Sequence, residues 1–318
     1  MNLWQLRLSI LGTLAVIIGL STLFFTVILW WLDVSFLLLP IFVIAFNLIQ
    51  WLISPYLIGL MYRVREVSRS EKPELHEMMD RLSQKSGIEK PRVMIADIPI
   101  PNAFAYSSPI AGSRVAVTSE LLKTLDEEEV EAVLGHELGH LKHHDVQVMM
   151  FVSILPAIFY YIYISTYFSS MYRRNDRGSS LAIVTIVSLV LYFVLTLFTL
   201  HLSRLREYFA DRHSVSIVED GSRKLSEGLA KIVNSTHGMK HVRKDANGFS
   251  SFKALFISDP ERAEADSASI SRVASYKNDQ MLVEETIRKE VTAFDRLAEL
   301  FSTHPNIVKR LKALQNVS

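Results

Sequence analysis

The 318-residue sequence contains no cysteine, which excludes disulfide scaffolds, cysteine nucleophiles and thiolate metal sites. It also lacks an excess of either charge, because 34 basic and 33 acidic residues leave a net charge of +1. No basic surface field therefore indicates a nucleic-acid partner. Any metal ion must be held by histidine, aspartate or glutamate side chains.

Charge is also missing from four long apolar runs. The chain is 49% hydrophobic with a mean hydropathy of +0.22, a composition that excludes intrinsic disorder. Each run exceeds the roughly 20 residues that a helix needs to cross a bilayer. The first is too long for a cleaved signal peptide and leads directly into the second. The sequence therefore predicts a mainly α membrane protein with four transmembrane helices, in residues 8–32, 34–62, 146–172 and 178–203.

The spacing of these runs predicts two transmembrane hairpins. Only Asp33 separates the first pair, and only residues 173–177 separate the second pair. The N-terminus and both polar blocks then share one side, which basic residues such as Arg63, Arg65 and Arg204 place in the cytoplasm. Three arginines within residues 173–177 oppose this orientation. The predicted division gives residues 1–62 and 146–203 as hairpins in the plasma membrane, and residues 63–145 and 204–318 as cytoplasmic parts, so that both termini are cytoplasmic.

The polar blocks predict an α+β domain with a small sheet. About three strands are expected, at residues 92–96, 102–106 and 114–118. Asp126 and Glu129 form a capping-box pattern that opens a helix over residues 127–143. The C-terminal block reads mostly as helix, apart from a polar, turn-rich stretch at residues 259–280.

The predicted helix 127–143 contains His136-Glu137-Leu138-Gly139-His140, the pattern H-E-x-x-H. Residues four apart lie one turn apart on the same helix face, so both imidazoles can approach one tetrahedral Zn²⁺. Glu137 lies about 100° round the helix, where it can contact a water at the metal without being a ligand. The alternative is a helix that merely has histidine and glutamate on its surface. Chance gives the pattern in roughly 2% of shuffled sequences, so it favours a catalytic metal site.

Catalytic zinc usually takes three protein ligands, so the two histidines need a partner. Glu207 and Asp211 follow the fourth run and are also four residues apart, so one can ligate while the other accepts an imidazole N–H. The alternative is an ordinary charged helix start beside the membrane. From the residues alone the candidates for the third ligand are His143, His144, Asp145, Glu207, Asp211, His213 and His304, of which the first two follow too closely along the same helix.

These features together resemble the HtpX-type membrane metalloproteases, which are relatives of the CAAX prenyl protease. The resemblance rests on H-E-L-G-H after an E-E-V-E-A-V-L run, the later E-x-x-x-D and the four spans. It extends over most of the chain through residues 101–105, 118–122 and 302–305 together with Arg310.

The resemblance implies a zincin-like protease domain with one Zn²⁺ per chain. It implies that His136, His140 and Glu207 are the zinc ligands and that Glu137 is the catalytic base. It also implies that Asp211 supports a ligand. His304 and Arg310 are expected near the cleft, helping to hold the tetrahedral oxyanion. The resemblance further implies a role in clearing damaged or misfolded membrane proteins under stress.

The function expected is therefore peptide-bond hydrolysis at the cytoplasmic membrane surface. An edge strand around Asn102, Ala103, Phe104 and Ala105 would bind extended protein substrates by β-augmentation. One alternative is intramembrane cleavage, which the charges flanking the motif oppose. Another is prenyl-protein processing. A third, from another class, is a transporter or scaffold with a structural zinc, a site that would close all four coordination positions.

Overall fold

The structure is a computed structural model, and it describes residues 39–172, 178–238 and 279–316. The first predicted span, residues 8–32, lies outside the described residues, as do the turn at 173–177 and residues 259–278. The described chain is mainly helical and forms two compact units. One contains the described parts of residues 1–51 and 147–202, and the other contains residues 52–146 with the described parts of 203–318.

The described residues form ten helices and four strands. The helices are α1 (Leu39–Met61), α2 (Pro73–Ser86), α3 (Leu121–Thr124), α4 (Glu127–Lys142), α5 (Asp145–Tyr172), α6 (Gly178–Ile217), α7 (Gly221–Gly238), α8 (Asp279–Ile287), α9 (Ala293–Leu300) and α10 (Ile307–Gln315). The strands are β1 (Val64–Glu66), β2 (Arg92–Ala96), β3 (Ala103–Ser108) and β4 (Gly112–Thr118).

Three helices are long and apolar enough to cross a membrane: Ile44–Met61 in α1, Asp145–Ser170 in α5 and Ala182–Ile217 in α6. They correspond to the second, third and fourth predicted runs. In the first unit α5 and α6 lie in contact, and Thr185 Oγ1 of α6 donates a hydrogen bond to Thr166 Oγ1 of α5 at 2.8 Å. The rings of Tyr160 and Tyr192 also lie 5.2 Å apart between these helices.

The second unit contains a mixed sheet with the strand order β1-β2-β4-β3. Strands β2 and β4 are parallel, and the other two pairs are antiparallel. The sequence predicted about three strands, and the additional one is β1. It was missed because Val64-Arg65-Glu66 has two charges in three residues and no alternating apolar pattern. Strand β3 pairs with β4 alone among the described strands, so it is the edge strand that was expected there.

Helix α4 lies at the centre of this unit, packed against α2, α7, β3 and β4. Its start follows the capping-box prediction, since the Asp126 N–H donates to Glu129 Oε2 at 2.9 Å. Val133, Leu134 and Leu138 have almost no solvent exposure and belong to the main core. A smaller cluster on the other side of the sheet joins Phe104 to the end of α1. The burial of α4 fixes where its polar side chains can point.

Candidate metal centre

The two histidines of the H-E-x-x-H helix point into one space. His136 Nε2 and His140 Nε2 lie 3.1 Å apart, and their rings are nearly perpendicular. His136 is 1% exposed, so its imidazole has left water almost completely. This is the geometry that an i, i+4 pair gives on one helix face.

Helix α6 adds a carboxylate to this pair. Glu207 Oε1 lies 3.5 Å from His140 Nε2, and Glu207 Oε2 lies 3.7 Å from His136 Nε2. One potential ligand atom from each of the three side chains lies within 4.8 Å of the others. Among the described residues, Glu207 is the only other side chain that joins the histidine pair at this spacing.

Two glycines of α4 allow this approach. A Cβ on Gly139 would lie 2.9 Å from the Cα atom of Ala210 in α6, and a Cβ on Gly135 would lie 3.0 Å from Ser214 Oγ. Ser214 Oγ in turn donates to the Ala132 carbonyl at 2.6 Å. The two helices therefore cross almost in backbone contact, which places Glu207 opposite the histidines.

Each imidazole has its own carboxylate on the far side of the ring. Asp211 Oδ1 lies 2.9 Å from His136 Nδ1, and Asp145 Oδ2 lies 2.6 Å from His140 Nδ1. A carboxylate that accepts the Nδ1–H leaves the Nε2 lone pair free to bind a metal. The pKa of His140 is raised, because its burial is outweighed by Asp145 and by the nearby Glu207 and Glu137 carboxylates.

These residues fit a divalent metal ion. Glu207 Oε2 is buried and makes no hydrogen bond of good geometry among the described residues. The nearest basic atoms, His304 Nδ1 and Arg310 Nη1, each lie 3.3 Å away. Two Nε2 lone pairs and this oxygen form the donor set of a hydrolytic metal site with room for further ligands. A cation bound among them would satisfy all three atoms at once.

Arg310 from α10 closes one side of the cluster. Its Nε and Nη2 donate to the two carboxylate oxygens of Asp211 at 2.7 and 2.6 Å, and its Nη1 lies 3.3 Å from Glu207 Oε2. Burial alone would lower the pKa of Arg310, but Asp211 and Glu207 outweigh it and raise that pKa. The guanidinium therefore stays charged and holds Asp211 in place.

His304 also lies in the cluster, with Nδ1 3.3 Å from Glu207 Oε2. Both of its ring nitrogens are buried and have no hydrogen-bond partner among the described residues. It precedes α10, whose first turn is capped by the Asn306 side chain, which accepts from the Val308 N–H at 2.9 Å. Glu137 is buried at 3% exposure and lies close enough to His140 and Arg310 to affect their pKa values.

The three remaining histidine candidates for the third ligand lie outside the cluster. His213 Nε2 lies 3.0 Å from Ser86 Oγ, outside the cluster. The His143 ring lies edge-on to the His213 ring, with the ring centroids 6.1 Å apart. His144 occupies the turn between α4 and α5 with φ +53°, a conformation that histidine adopts more readily than most residues. Sequence reasoning included Asp145 only as a possible ligand and missed its contact with His140, because that contact depends on this turn.

The expected substrate-binding residues lie on β3 and just before it. Asn102 pairs with Thr118, donating its N–H to Thr118 Oγ1 and accepting the Thr118 N–H with its carbonyl, both at 2.9 Å. Phe104 points into the smaller core cluster, where its ring lies 5.6 Å from that of Tyr62. Ala103 belongs to the main core. The side chains of Ala103 and Phe104 are therefore used in core packing, and the strand that carries them packs against α4.

A second group of acidic side chains already surrounds a cation. Carboxylate oxygens of Asp126, Glu129 and Asp279 each lie 2.9 Å from Lys231 Nζ. Burial raises the pKa of Glu129 despite this lysine. The ammonium group occupies the position that a metal would need, so this cluster is a structural ion-pair network.

Comparison with known proteins decides the family. The sequence model of peptidase family M48 matches residues 69–318. The chain belongs to peptidase family M48. It is 34% identical over 325 residues to a protease HtpX homolog of Picrophilus torridus, covering 99% of this chain and 98% of that protein. A protease HtpX homolog of Thermoplasma acidophilum is 36% identical over 286 residues, covering 88% of this chain and 84% of the relative.

The fold of this M48 chain also resembles a solved structure, that of S. mikatae Ste24p. The match has a TM-score of 0.56 and 17% identity, and it covers 98% of this chain and 66% of that one. The chain therefore spans about two thirds of the length of Ste24p. These comparisons confirm the predicted HtpX-type resemblance and make the chain a membrane metalloprotease, rather than a transporter or scaffold.

Proposed function

We propose that this M48 protease is a zinc-dependent endopeptidase that cleaves misfolded or damaged membrane proteins at the cytoplasmic membrane surface. The observation that supports it most is the convergence of His136, His140 and Glu207, with ligand atoms within 4.8 Å of one another. Two neutral imidazoles and one carboxylate are a typical ligand set of hydrolytic zinc. In this proposal one Zn²⁺ per chain is held by these three side chains.

The bound zinc would polarise the scissile carbonyl and make the attacking water more acidic. Glu137 is the general base in this scheme, taking a proton from the water and later giving it to the leaving amine. Asp145 and Asp211 keep the ligand imidazoles in the tautomer that presents Nε2.

His304 and Arg310 are proposed to stabilise charge in the reaction. His304 Nε2 has no hydrogen-bond partner among the described residues, so in this proposal it donates to a developing oxyanion. Arg310 already uses two nitrogens on Asp211, and its Nη1 faces Glu207. Its positive charge would favour the same transition state from behind the ligands.

Substrate binding is proposed along the edge of β3 that faces away from β4. Backbone recognition at that edge would accept an extended chain with little regard to sequence, which suits a protease of quality control. Charged residues flank the motif, from Glu127 to Glu131 and from Lys142 to Asp145, and burying them in lipid would be expensive. The proposal therefore places the active site at the membrane surface, next to four membrane spans, instead of at bilayer depth. The basic residues Arg63, Arg65 and Arg204 beside the predicted spans favour the cytoplasmic side for the active site and both termini.

The test compares zinc content and cleavage of an unfolded test protein. Glu137→Gln should retain one zinc per chain and lose about 10²- to 10⁴-fold in kcat, because only the base is removed. Glu207→Gln should lose zinc affinity as well. Glu127→Gln, an exposed residue on the same helix, is the matched control and should behave like the parent. Peptidase activity persisting in Glu137→Gln would overturn the proposed mechanism.

A further inference from the structure

The hairpin formed by β3 and β4 has no charged residue over a long stretch. Between Asp97 and Arg114 the sequence is uncharged for sixteen residues, 98–113. Ser108 pairs with Gly112, so a three-residue turn joins the strands, and Gly112 takes the left-handed conformation with φ +69°. We call residues 109–111 the hairpin tip.

The hairpin runs beside the apolar helix α1. Ser108 Oγ lies 3.4 Å from the Leu52 carbonyl oxygen, nine residues before the end of α1 at Met61. At 1.5 Å per residue, this is about 13 Å back along the helix. Because Ile44–Met61 is apolar enough to cross a membrane, the hairpin tip lies level with part of a candidate span.

The hairpin tip is an apolar surface in which one backbone donor is paired internally. The Ala111 N–H donates to Ser108 Oγ at 3.1 Å, and Ser108 Oγ can donate in turn to Leu52. Ile110 is 65% exposed, and Pro109 beside it is exposed as well. Exposed apolar side chains also lie on the last turns of α1, including Leu57. Such a surface is suited to lipid, where unpaired backbone groups would be costly.

The first charge after the hairpin tip has the contact expected at a membrane boundary. The Arg114 guanidinium carbon lies 5.8 Å from the ring centroid of Tyr56, four residues beyond Leu52 on α1. Basic and aromatic side chains are enriched at the level of the lipid headgroups. There the apolar part of an arginine side chain can contact lipid while its charged end reaches water. This pair therefore gives an independent marker for the depth of the hairpin.

We propose that the hairpin tip inserts into the interfacial zone of the lipid bilayer, with Arg114 and Tyr56 at headgroup level. A consequence, which rests on the proposed function, concerns substrates. Strand β3 then begins beside α4 and ends in the lipid interface, so its edge opposite β4 would meet a chain segment as that segment leaves the bilayer.

The location is tested first, and independently of protease activity. Since the chain has no cysteine, Ile110→Cys gives a unique site for an environment-sensitive fluorophore. The full-length protein is reconstituted in lipid nanodiscs and quenched either by lipid-attached nitroxide or by aqueous iodide. Glu127→Cys is the control. Glu127 is exposed at the first residue of α4, whereas the candidate span α5 begins after the last residue of α4.

The probe at 110 should be quenched by the nitroxide and protected from iodide, and the probe at 127 should show the reverse. Equal iodide quenching at both positions would overturn the insertion. Protection at 110 from both quenchers would indicate a protein partner at the hairpin tip, and would overturn it too.

The consequence for substrates is tested with two variants at the same position. Ile110→Asp should cut cleavage of a membrane-anchored substrate by at least about tenfold, because a carboxylate disfavours the interface. Cleavage of a soluble unfolded protein should stay within about twofold, and Ile110→Leu should match the parent on both substrates. An equal loss on both substrates would contradict the substrate route. No cleavage by the parent would contradict the proposed function and leave the fluorescence result standing.

Discussion

Asp145 Oδ2 lies 2.6 Å from His140 Nδ1, so the first residue of the apolar helix α5 holds a candidate metal ligand at the end of α4. His144 makes the turn between the two helices with φ +53°, which directs the carboxylate back toward His140. Arg206 Nε lies 3.1 Å from the same oxygen and balances its charge. The contact fixes which imidazole nitrogen faces the metal space.

Asp145→Asn should weaken zinc binding by about 10- to 100-fold, because the amide holds the imidazole less firmly and lowers its basicity. The measurement is zinc affinity by competition with a chromophoric chelator. Asp97→Asn is the matched control, since Asp97 is exposed and accepts a 3.3 Å hydrogen bond from Ser119 Oγ away from the metal centre. Equal zinc affinity in the two variants would show that Asp145 does not support the site.

Gly139→Ala should damage both stability and metal binding. The added Cβ would lie 2.9 Å from backbone of α6, and overpacking of this kind costs about 1–3 kcal/mol. Moving α6 away from α4 also moves Glu207 away from the histidines, so we expect a lower Tm and weaker zinc binding. Gly59→Ala is the control, because a Cβ there meets nothing within 4 Å. A variant at 139 with parental Tm and zinc affinity would refute the close-approach argument.

Lys231→Met should destabilise the protein by about 1–3 kcal/mol near neutral pH, since three carboxylates lose their common partner. Burial already raises the pKa of Glu129 in the folded state, and removing the lysine raises it further. A raised folded-state pKa means that protonation favours folding, so the loss should shrink as the pH falls toward the usual glutamate range. Thermal unfolding measured at about pH 8 and at about pH 5 gives this difference, because the two values lie on either side of the pH range in which Glu129 is expected to titrate.

The control for this pair of pH values is Lys123→Met. Lys123 is exposed on α3 and pairs only with the surface residue Glu120 at 3.1 Å among the salt bridges of the described chain. An exposed pair of this kind is worth about 0–1 kcal/mol, so this variant should change Tm little at either pH. A Lys231→Met loss that grows on acidification would contradict the assignment to Glu129.

His304→Ala should retain one zinc per chain while kcat falls by about 10²- to 10³-fold and KM changes little, because the lost interaction is made mainly in the transition state. Steady-state kinetics on a fluorogenic peptide, with zinc analysis of the same sample, provide both quantities. His143→Ala serves as the comparison, being exposed and outside the cluster. Loss of zinc from His304→Ala would instead make His304 a ligand.

Local periodicity accounts for what could be predicted of the site. His136 and His140 face one space because residues four apart share a helix face, and this holds wherever the helix packs. The apolar runs likewise identified α1, α5 and α6 from length and composition alone. Its chemistry made Glu207 only one of several candidates for the third ligand, and the family resemblance was needed to select it. Its approach to the histidines depends on the crossing of α4 and α6, which are far apart in the sequence.

The parts that sequence reasoning missed depend on tertiary geometry. The role of Asp145 depends on a single left-handed residue at a helix junction, which no periodic pattern reports. Strand β1 depends on an available partner in β2, and three residues with two charges give no signal of their own. The lysine at 231 could be read only as a charged helix residue until its three acidic neighbours were brought together by the fold.

The near-contact at Gly139 has a consequence for how the motif itself varies. The chemistry of the pattern H-E-x-x-H allows any residue at its fourth position. In this chain, however, that position is Gly139, which lies against the backbone of α6, the helix that supplies Glu207. A library randomised at 138 and 139 and selected for peptidase activity should therefore return several apolar residues at 138 but almost only glycine at 139. Evolutionary drift in this enzyme is then restricted by sterics at a residue that takes no part in the reaction.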